Sequence, residues 1–256
     1  MIEFLRTIKH KLDSLKAHYL PTTLVLGDSH TCIFKGWPFT VFFPTTNFHV
    51  CMVAGATVSG LENPNSMTRA MPLFMEALNS TKSNQIIVNL GEVDTGYVIW
   101  YRAEKYSLSV DEMLNNAVAK YQEFLKLLKS KSEVYVISAP LPTIEDGNDW
   151  GDIANLRKDV QTTQVQRTSL TIKFNQLMEQ FCLDNEILYL NLDNQCLGKN
   201  GVLKDTLKNK NRRDHHYDYS AYSYIVIKAL YKAVILKWYR RFFGFSNLRK
   251  GNGVAK

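Results

Sequence analysis

Five short runs of β-branched, aliphatic and aromatic residues punctuate the chain: TTLVLG (22–27), FHVCMV (48–53), QIIVNLG (85–91), EVYVISA (133–139) and ILYLNL (187–192). Such residues favour extended backbone. Most of these runs are apolar throughout, as in strands covered on both faces. Between them, apolar positions recur at helical spacing. NSMTRAMPLFMEALNS (65–80), SVDEMLNNAVAKYQEFLKLLKS (109–130), SLTIKFNQLMEQFCLDN (169–185) and SAYSYIVIKALYKAVILKWYRRFF (220–243) read as helices. Ser109 and Glu112 open the second of them in capping-box spacing. Strand–helix alternation predicts an α/β fold, a three-layer α/β/α sandwich around a parallel sheet of about five strands. In such sheets ligands bind beyond the carboxyl ends of the strands.

No internal repeat or low-complexity linker interrupts the 256 residues. The pattern predicts one domain over 21–243, preceded by an amphipathic helix (1–20) and followed by a flexible basic tail (244–256). A hydrophobic content of 45% supplies a sizeable core. Cys32, Cys51, Cys182 and Cys196 are scattered without metal-ligand spacing. They read as reduced thiols of a cytosolic protein, with no metal site. The opening MIEFLRTIKHKLDSLKAHYLP mixes lysines with apolar residues and lacks the continuous apolar core of a secretion signal. No run approaches the roughly 20 apolar residues of a membrane span. The expected location is the cytoplasm, or the inner face of a membrane.

The net charge of +7 suits an anionic substrate, a phosphate-bearing co-substrate or an acidic membrane face. Apart from KNKNRR and KWYRRFF the basic residues are dispersed, and no nucleic-acid motif accompanies them, so nucleic acid is not an expected partner.

The first strand ends abruptly in GDSH (27–30). A serine hydroxyl is a poor nucleophile until a base takes its proton, and that base is usually a histidine oriented by a carboxylate. Such a pair is available in RRDHHYDYSAY (212–222), just before the last helix. The plain alternative at both places is a helix cap: Asp28 or Ser29 at the first, Asp218 or Ser220 at the second.

Together the two ends resemble the SGNH (GDSL-type) hydrolase superfamily, in order and spacing, from residue 22 to about 236. The resemblance implies an SGNH-hydrolase-like fold and Ser29 as nucleophile. It also implies an oxyanion site made by the backbone amides of Ser29 and Gly55, the latter from VAGATVSGL (53–61). Asp28 resembles a position that braces the turn, and His30 would point away from Ser29, towards local structure or substrate. Two blocks depart from the family pattern. Where Gly-x-Asn-Asp is usual, the chain has Gly91, Glu92, Val93 and Asp94, so the asparagine donor is replaced by valine. Where Asp-x-x-His is usual, the chain has Asp214 and His216. That Asp-x-His spacing resembles SGNH-like polysaccharide O-acetyltransferases. It implies His216 as base and Asp214 as its orienter, with His215 as the alternative base.

An acyl-serine can be resolved by water or by a sugar hydroxyl. The Asp-x-His spacing, the lack of a recognisable secretion signal and the positive charge lean towards transfer. The expected function is O-acetylation of a bacterial capsular or other surface polysaccharide. Acetyl-CoA would be the acyl-donor co-substrate, with no permanently bound cofactor. The alternatives are a carbohydrate or lipid esterase and a noncatalytic glycan-binding relative. The loop GEVDTGYVIWYR (91–102) resembles segments of SGNH-like proteins of surface-polysaccharide synthesis. Tyr97, Trp100 and Arg102 would hold an anionic glycan there, with His30 and His215 nearby. Equally, Trp100 and Tyr101 could simply pack the next helix. KWYRRFFGF at the end of the last helix suits an anionic membrane surface or a capsule-assembly partner, and a solvated helix tip would give the same pattern.

Overall fold

A computed structural model describes residues 20–146, 162–211 and 214–243, with side chains described up to residue 235. The expected N-terminal helix up to residue 19, the tail 244–256 and the side chains of KWYRRFF lie outside the described residues.

Five strands form one parallel sheet: β1 (Thr22–Gly27), β2 (Asn47–Met52), β3 (Gln85–Asn89), β4 (Glu133–Ile137) and β5 (Leu188–Leu190), in the order β2-β1-β3-β4-β5. β2 pairs on one side of β1 and β3 on the other, with Gly27 opposite both Met52 and Asn89. The chain therefore leaves β1 in one direction and returns past it in the other. The crevice at the carboxyl end of β1 is the topological switch point of the sheet.

Period-two alternation within the strands builds two cores. Leu24, Leu26, Ile86, Val88, Val134 and Val136 face one way and pack on α2 (Ala70–Ser80), α4 (Val110–Lys129) and α5 (Gln164–Asp184) through Phe74, Leu114, Leu125, Phe174 and Met178. Val25, Ile87, Tyr135 and Ile137 face the other way. They meet Phe39 of α1 (Trp37–Phe42), Cys196 of α6 (Asp193–Cys196) and Val226 and Leu230 of α7 (Tyr219–Phe243). The result is the α/β/α sandwich expected from the alternation of elements. A further helix, α3 (Ile99–Tyr106), follows a single π-helical turn at Asp94–Val98.

Several boundaries differ from the sequence reading for local reasons. α2 starts at Ala70 rather than at residue 65, because Asn63 Oδ1 accepts the Asn65 amide and Arg69 is left-handed at φ 48°. Neither conformation propagates a helix. α5 starts five residues before the expected Ser169, at Gln164, where Thr163 and Gln166 cap each other reciprocally. The short α1 was not expected at all; its Pro38 suits a helix start and its burial comes from packing. All four cysteines are free thiols, and burial pushes Cys182 and Cys196 up to about 12. No described helix is long and apolar enough to cross a membrane.

Candidate active site

Two Asp-x-His turns meet at the carboxyl end of β1. The first follows Gly27 directly. Asp28 Oδ1 accepts the amide of His30 at 2.9 Å and pairs with its ring Nδ1 at 3.0 Å, an Asx turn that opens a 3₁₀ turn over Ser29–Lys35. Asp28 thus both caps the turn and braces it. Gly27 is required by the tight exit, since a Cβ there would lie 2.2 Å from the carbonyl oxygen of Asn89.

The second turn repeats the first. Asp214 Oδ1 accepts the amide of His216 at 3.0 Å and approaches its ring Nδ1 at 2.6 Å, while Asp214 Oδ2 accepts Asn209 Nδ2 at 2.9 Å. His216 Nε2 lies 2.8 Å from Ser29 Oγ. Serine, histidine and aspartate are therefore joined in one hydrogen-bonded line across 187 residues of sequence. With Nδ1–H held by a carboxylate, Nε2 is the ring atom left to accept the serine proton.

The segment carrying the pair is anchored on both sides. The Tyr217 hydroxyl accepts the Leu141 amide at 2.7 Å, and Lys208 and Tyr217 form an antiparallel bridge. The Thr143 hydroxyl donates to the His215 carbonyl. Asp218 Oδ1 accepts the Ala221 amide and starts α7, so the capping role foreseen there coexists with the pair four residues upstream. Burial pushes the Asp214 carboxyl up, but the amide and ring of His216 together outweigh it and hold the group below its ordinary value. Asp214 is thus ionised wherever His216 has to act as a base. Asp214, His215 and His216 offer ligand atoms within 4.8 Å of one another. Both ring nitrogens of His216 are engaged in this arrangement, by Asp214 and by Ser29.

Gly55 lies on the exposed turn after β2 with φ +71°, a left-handed conformation that favours glycine. Its loop is pinned by a residue that the sequence reading aligned but gave no role. Asp94, fully buried, accepts the amides of Val58 at 2.8 Å and Ser59 at 3.1 Å. It ties the loop after β3 to the loop after β2. Burial raises its carboxyl to about 6, against the pull of the Ser59 and Val58 donors and of the Arg102 charge. Glu92 is buried and Val93 half-buried at the start of the same turn.

The residues expected to hold substrate separate into groups. His30 takes the structural of the two roles expected for it, its side chain 3% exposed and tied to Asp28. Trp100 is spent largely on structure too, donating Nε1–H to the Thr95 carbonyl at 2.8 Å and packing on the core beside α4. Tyr97 stacks on Tyr101 at 5.6 Å. Arg102 donates to the Ser59 carbonyl and, with Lys120, lines a cavity of about 230 Å³ that Ser29, Asp214 and His216 do not line. His215 stays beside the Ser29–His216 contact, its ring 4.2 Å from that of His216. Asn209, Tyr217 and Thr143 were not foreseen; they come from loops whose sequence carries no periodic signal.

No family model and no curated protein matches the chain. Solved structures do. A protein described as an acylhydrolase from Bacteroides fragilis aligns with a TM-score of 0.57 at 13% identity, covering 89% of this chain and 96% of that one. A GDSL-like lipase from Bacteroides thetaiotaomicron aligns with a TM-score of 0.55 at 16% identity, over 89% and 97%. The chain has the SGNH-hydrolase fold. A catalytic mutant of an acetylxylan esterase from Geobacillus stearothermophilus shares this fold, with a TM-score of 0.52 at 11% identity, over 84% and 94%. Within the SGNH-hydrolase fold, the Ser29 line of hydrogen bonds sits at the carboxyl end of the first strand, where the resemblance puts the nucleophile.

Proposed function

We propose that the protein is a serine-dependent acyl-transfer enzyme, and that its reaction is O-acetylation of a bacterial surface polysaccharide. The observation that carries the serine chemistry is the 2.8 Å contact of Ser29 Oγ with a His216 ring whose other nitrogen is held by Asp214. His216 Nε2 takes the Ser29 proton as Oγ attacks the acyl carbon of an ester or thioester donor. The bond to the leaving oxygen or sulfur then breaks, and the imidazolium returns its proton to that leaving group. In the second half-reaction an acceptor hydroxyl gives its proton to His216, attacks the acyl-serine, and Ser29 regains the proton. The amides of Ser29 and Gly55 are the donors we assign to the oxyanion, and the 3₁₀ turn leaves the Ser29 amide without a helical acceptor. Asp214 stabilises the imidazolium in both steps.

Transfer to a sugar rests on the Asp-x-His spacing and on the excess of positive charge, which suits acetyl-CoA phosphates and an acidic glycan. Hydrolysis of an acetylated carbohydrate is the second reading, favoured by the acetylxylan esterase among proteins of similar fold. One experiment separates them. The purified protein is given acetyl-CoA or a small activated acetyl ester, with and without anionic bacterial glycans, and acetate is followed on Ser29, on sugar and in water. Acetyl-Ser29 that passes to glycan supports transfer. Deacetylation of an acetylated polymer, with release of acetate indifferent to every glycan, makes the protein an esterase.

A further inference from the structure

Two helices that leave the active site present an apolar face to solvent. The Ser29–Lys35 turn runs into α1, and the Asp214–His216 turn runs into α7. The helices are tied together by the Tyr231 hydroxyl, which donates to the Phe42 carbonyl, and by the rings of Phe42 and Tyr224 at 5.8 Å and of Phe43 and Tyr231 at 4.9 Å. On α1, Trp37 is 60% and Val41 61% exposed. On α7 the inward face is Tyr222, Val226, Leu230 and Ala233. The opposite face should be polar in a helix that covers a sheet from water. Instead Tyr224, Tyr231 and Ile235 are exposed along it at positions i, i+7 and i+11, with Lys228 between them.

Charge tells what such a face is for. The two stretches that build it contain no acidic residue: none between Ser29 and Leu61, and none from Tyr219 to Ile235. The second stretch carries Lys228 and Lys232, and the sequence beyond it continues without an acidic residue. Lys35, Lys228 and Lys232 are exposed beside the apolar residues. A protein-binding patch needs no such one-sided charge. Aromatic and aliphatic side chains set among uncompensated cations match the boundary of an anionic bilayer, where rings enter the headgroup layer and lysines meet phosphates.

We propose that the α1–α7 face seats on the surface of an anionic lipid bilayer and that the protein is a peripheral membrane protein by this face. The seating involves no spanning segment. It brings the mouth of the site close to the bilayer, because both reactive turns continue directly into the helices that dock. This proposal stands whether Ser29 transfers acyl groups or hydrolyses esters.

The test is flotation of the full chain with vesicles of phosphatidylglycerol and phosphatidylcholine, against phosphatidylcholine alone. Binding is expected to the mixed vesicles and to weaken with salt. Lys228→Gln with Lys232→Gln should weaken it roughly thirtyfold. Trp37→Ser with Val41→Ser should weaken it about tenfold or more, and both variants should keep the parent melting temperature because the side chains are exposed. Turnover of a soluble ester should be unchanged in both. Equal binding to the two kinds of vesicle, or full binding by the variants, overturns the proposal. So does a concentration-dependent dimer that the same substitutions dissolve, since a second copy would then be the occupant.

Discussion

His30 and His216 face one another with ring centres 5.5 Å apart and planes inclined at 58°. Each is held through its amide and its Nδ1 by an aspartate two residues earlier, Asp28 and Asp214. One pair is buried and the other opens to the cleft. The same short motif is thus used once in a buried pair and once to hold the proposed base.

The buried pair predicts a stability defect rather than a catalytic one. His30→Ala removes the ring partner of a carboxylate that is fully buried. Leaving a buried hydrogen-bonding group without its partner typically costs about 1–3 kcal/mol. A lower denaturation midpoint is expected, together with lost activity that returns in part at low temperature. An unchanged midpoint would show that the Asp28 carboxylate does not depend on His30.

The half-buried pair predicts chiefly a catalytic defect. Ser29→Ala and His216→Ala should each lower turnover of an activated ester roughly a thousandfold or more, and the double variant should be little worse, because the three groups act as a unit. His215→Ala should cost much less, since it is the ring of His216 that lies 2.8 Å from Ser29 Oγ. If His215→Ala is the more damaging change, the base has been misassigned.

The contrast between the two histidines shows what was legible. The strands could be read because parallel strands buried on both faces need continuous apolar runs, and β1 matches its sequence run residue for residue. The order of Gly-Asp-Ser and a late Asp/His block pointed to one line of side chains, and the chain folds so that they meet. What local sequence could not convey was burial. His30 and His216 have the same motif around them, and only the packing of Tyr217 and Tyr222 against His30 makes one of them structural. Trp100 was ambiguous for a similar reason. Its partner is the carbonyl of Thr95, inside a π-helical turn that no periodicity announces. The bracing by Asp94 was also invisible, because its acceptor role depends on two amides 35 and 36 residues away.

Two buried carboxyls set a pH dependence of stability. Burial raises Asp94 and Asp193 from 3.8 to about 6, against the pull of Ser59 and Val58 donors in the first and of Asn175 in the second. In that window the folded chain binds more protons than the unfolded one. Their contribution is therefore fully present below about pH 4 and is lost as pH rises through about 6. Asp214 has the opposite sign: its contribution is present above its ordinary value and is lost as pH falls through its lowered one. Asp193→Asn isolates one of these groups, because an amide oxygen can still accept from Asn175 Nδ2. The melting temperature of the variant relative to the parent should climb between pH 5 and pH 7. A constant difference across that range would mean that Asp193 does not titrate there.

Gly55 gives the sharpest test of the oxyanion assignment. Alanine at φ +71° is strained by about 1–2 kcal/mol. The added methyl itself meets no obstacle, since the nearest heavy atom would be Thr68 Cγ2 at 3.8 Å. Gly55→Ala should therefore fold, with a denaturation midpoint lowered by only a few degrees. The backbone can relieve the strain by rotating the Gly55 amide away from its present direction, which matters only if that amide is used. In a site where Val93 has replaced the usual side-chain donor, each remaining amide carries a larger share of the developing charge. Loss of one oxyanion donor typically costs about 3–4 kcal/mol of transition-state stabilisation, so a partial rotation should lower kcat roughly tenfold to a hundredfold with little change in KM. Ground-state binding is spared because the amide meets full negative charge only in the tetrahedral intermediate. A variant with the lowered midpoint but the parent kcat would show that the Gly55 amide does not face the oxyanion. The Ser29 amide would then be the one donor left of the two assigned here.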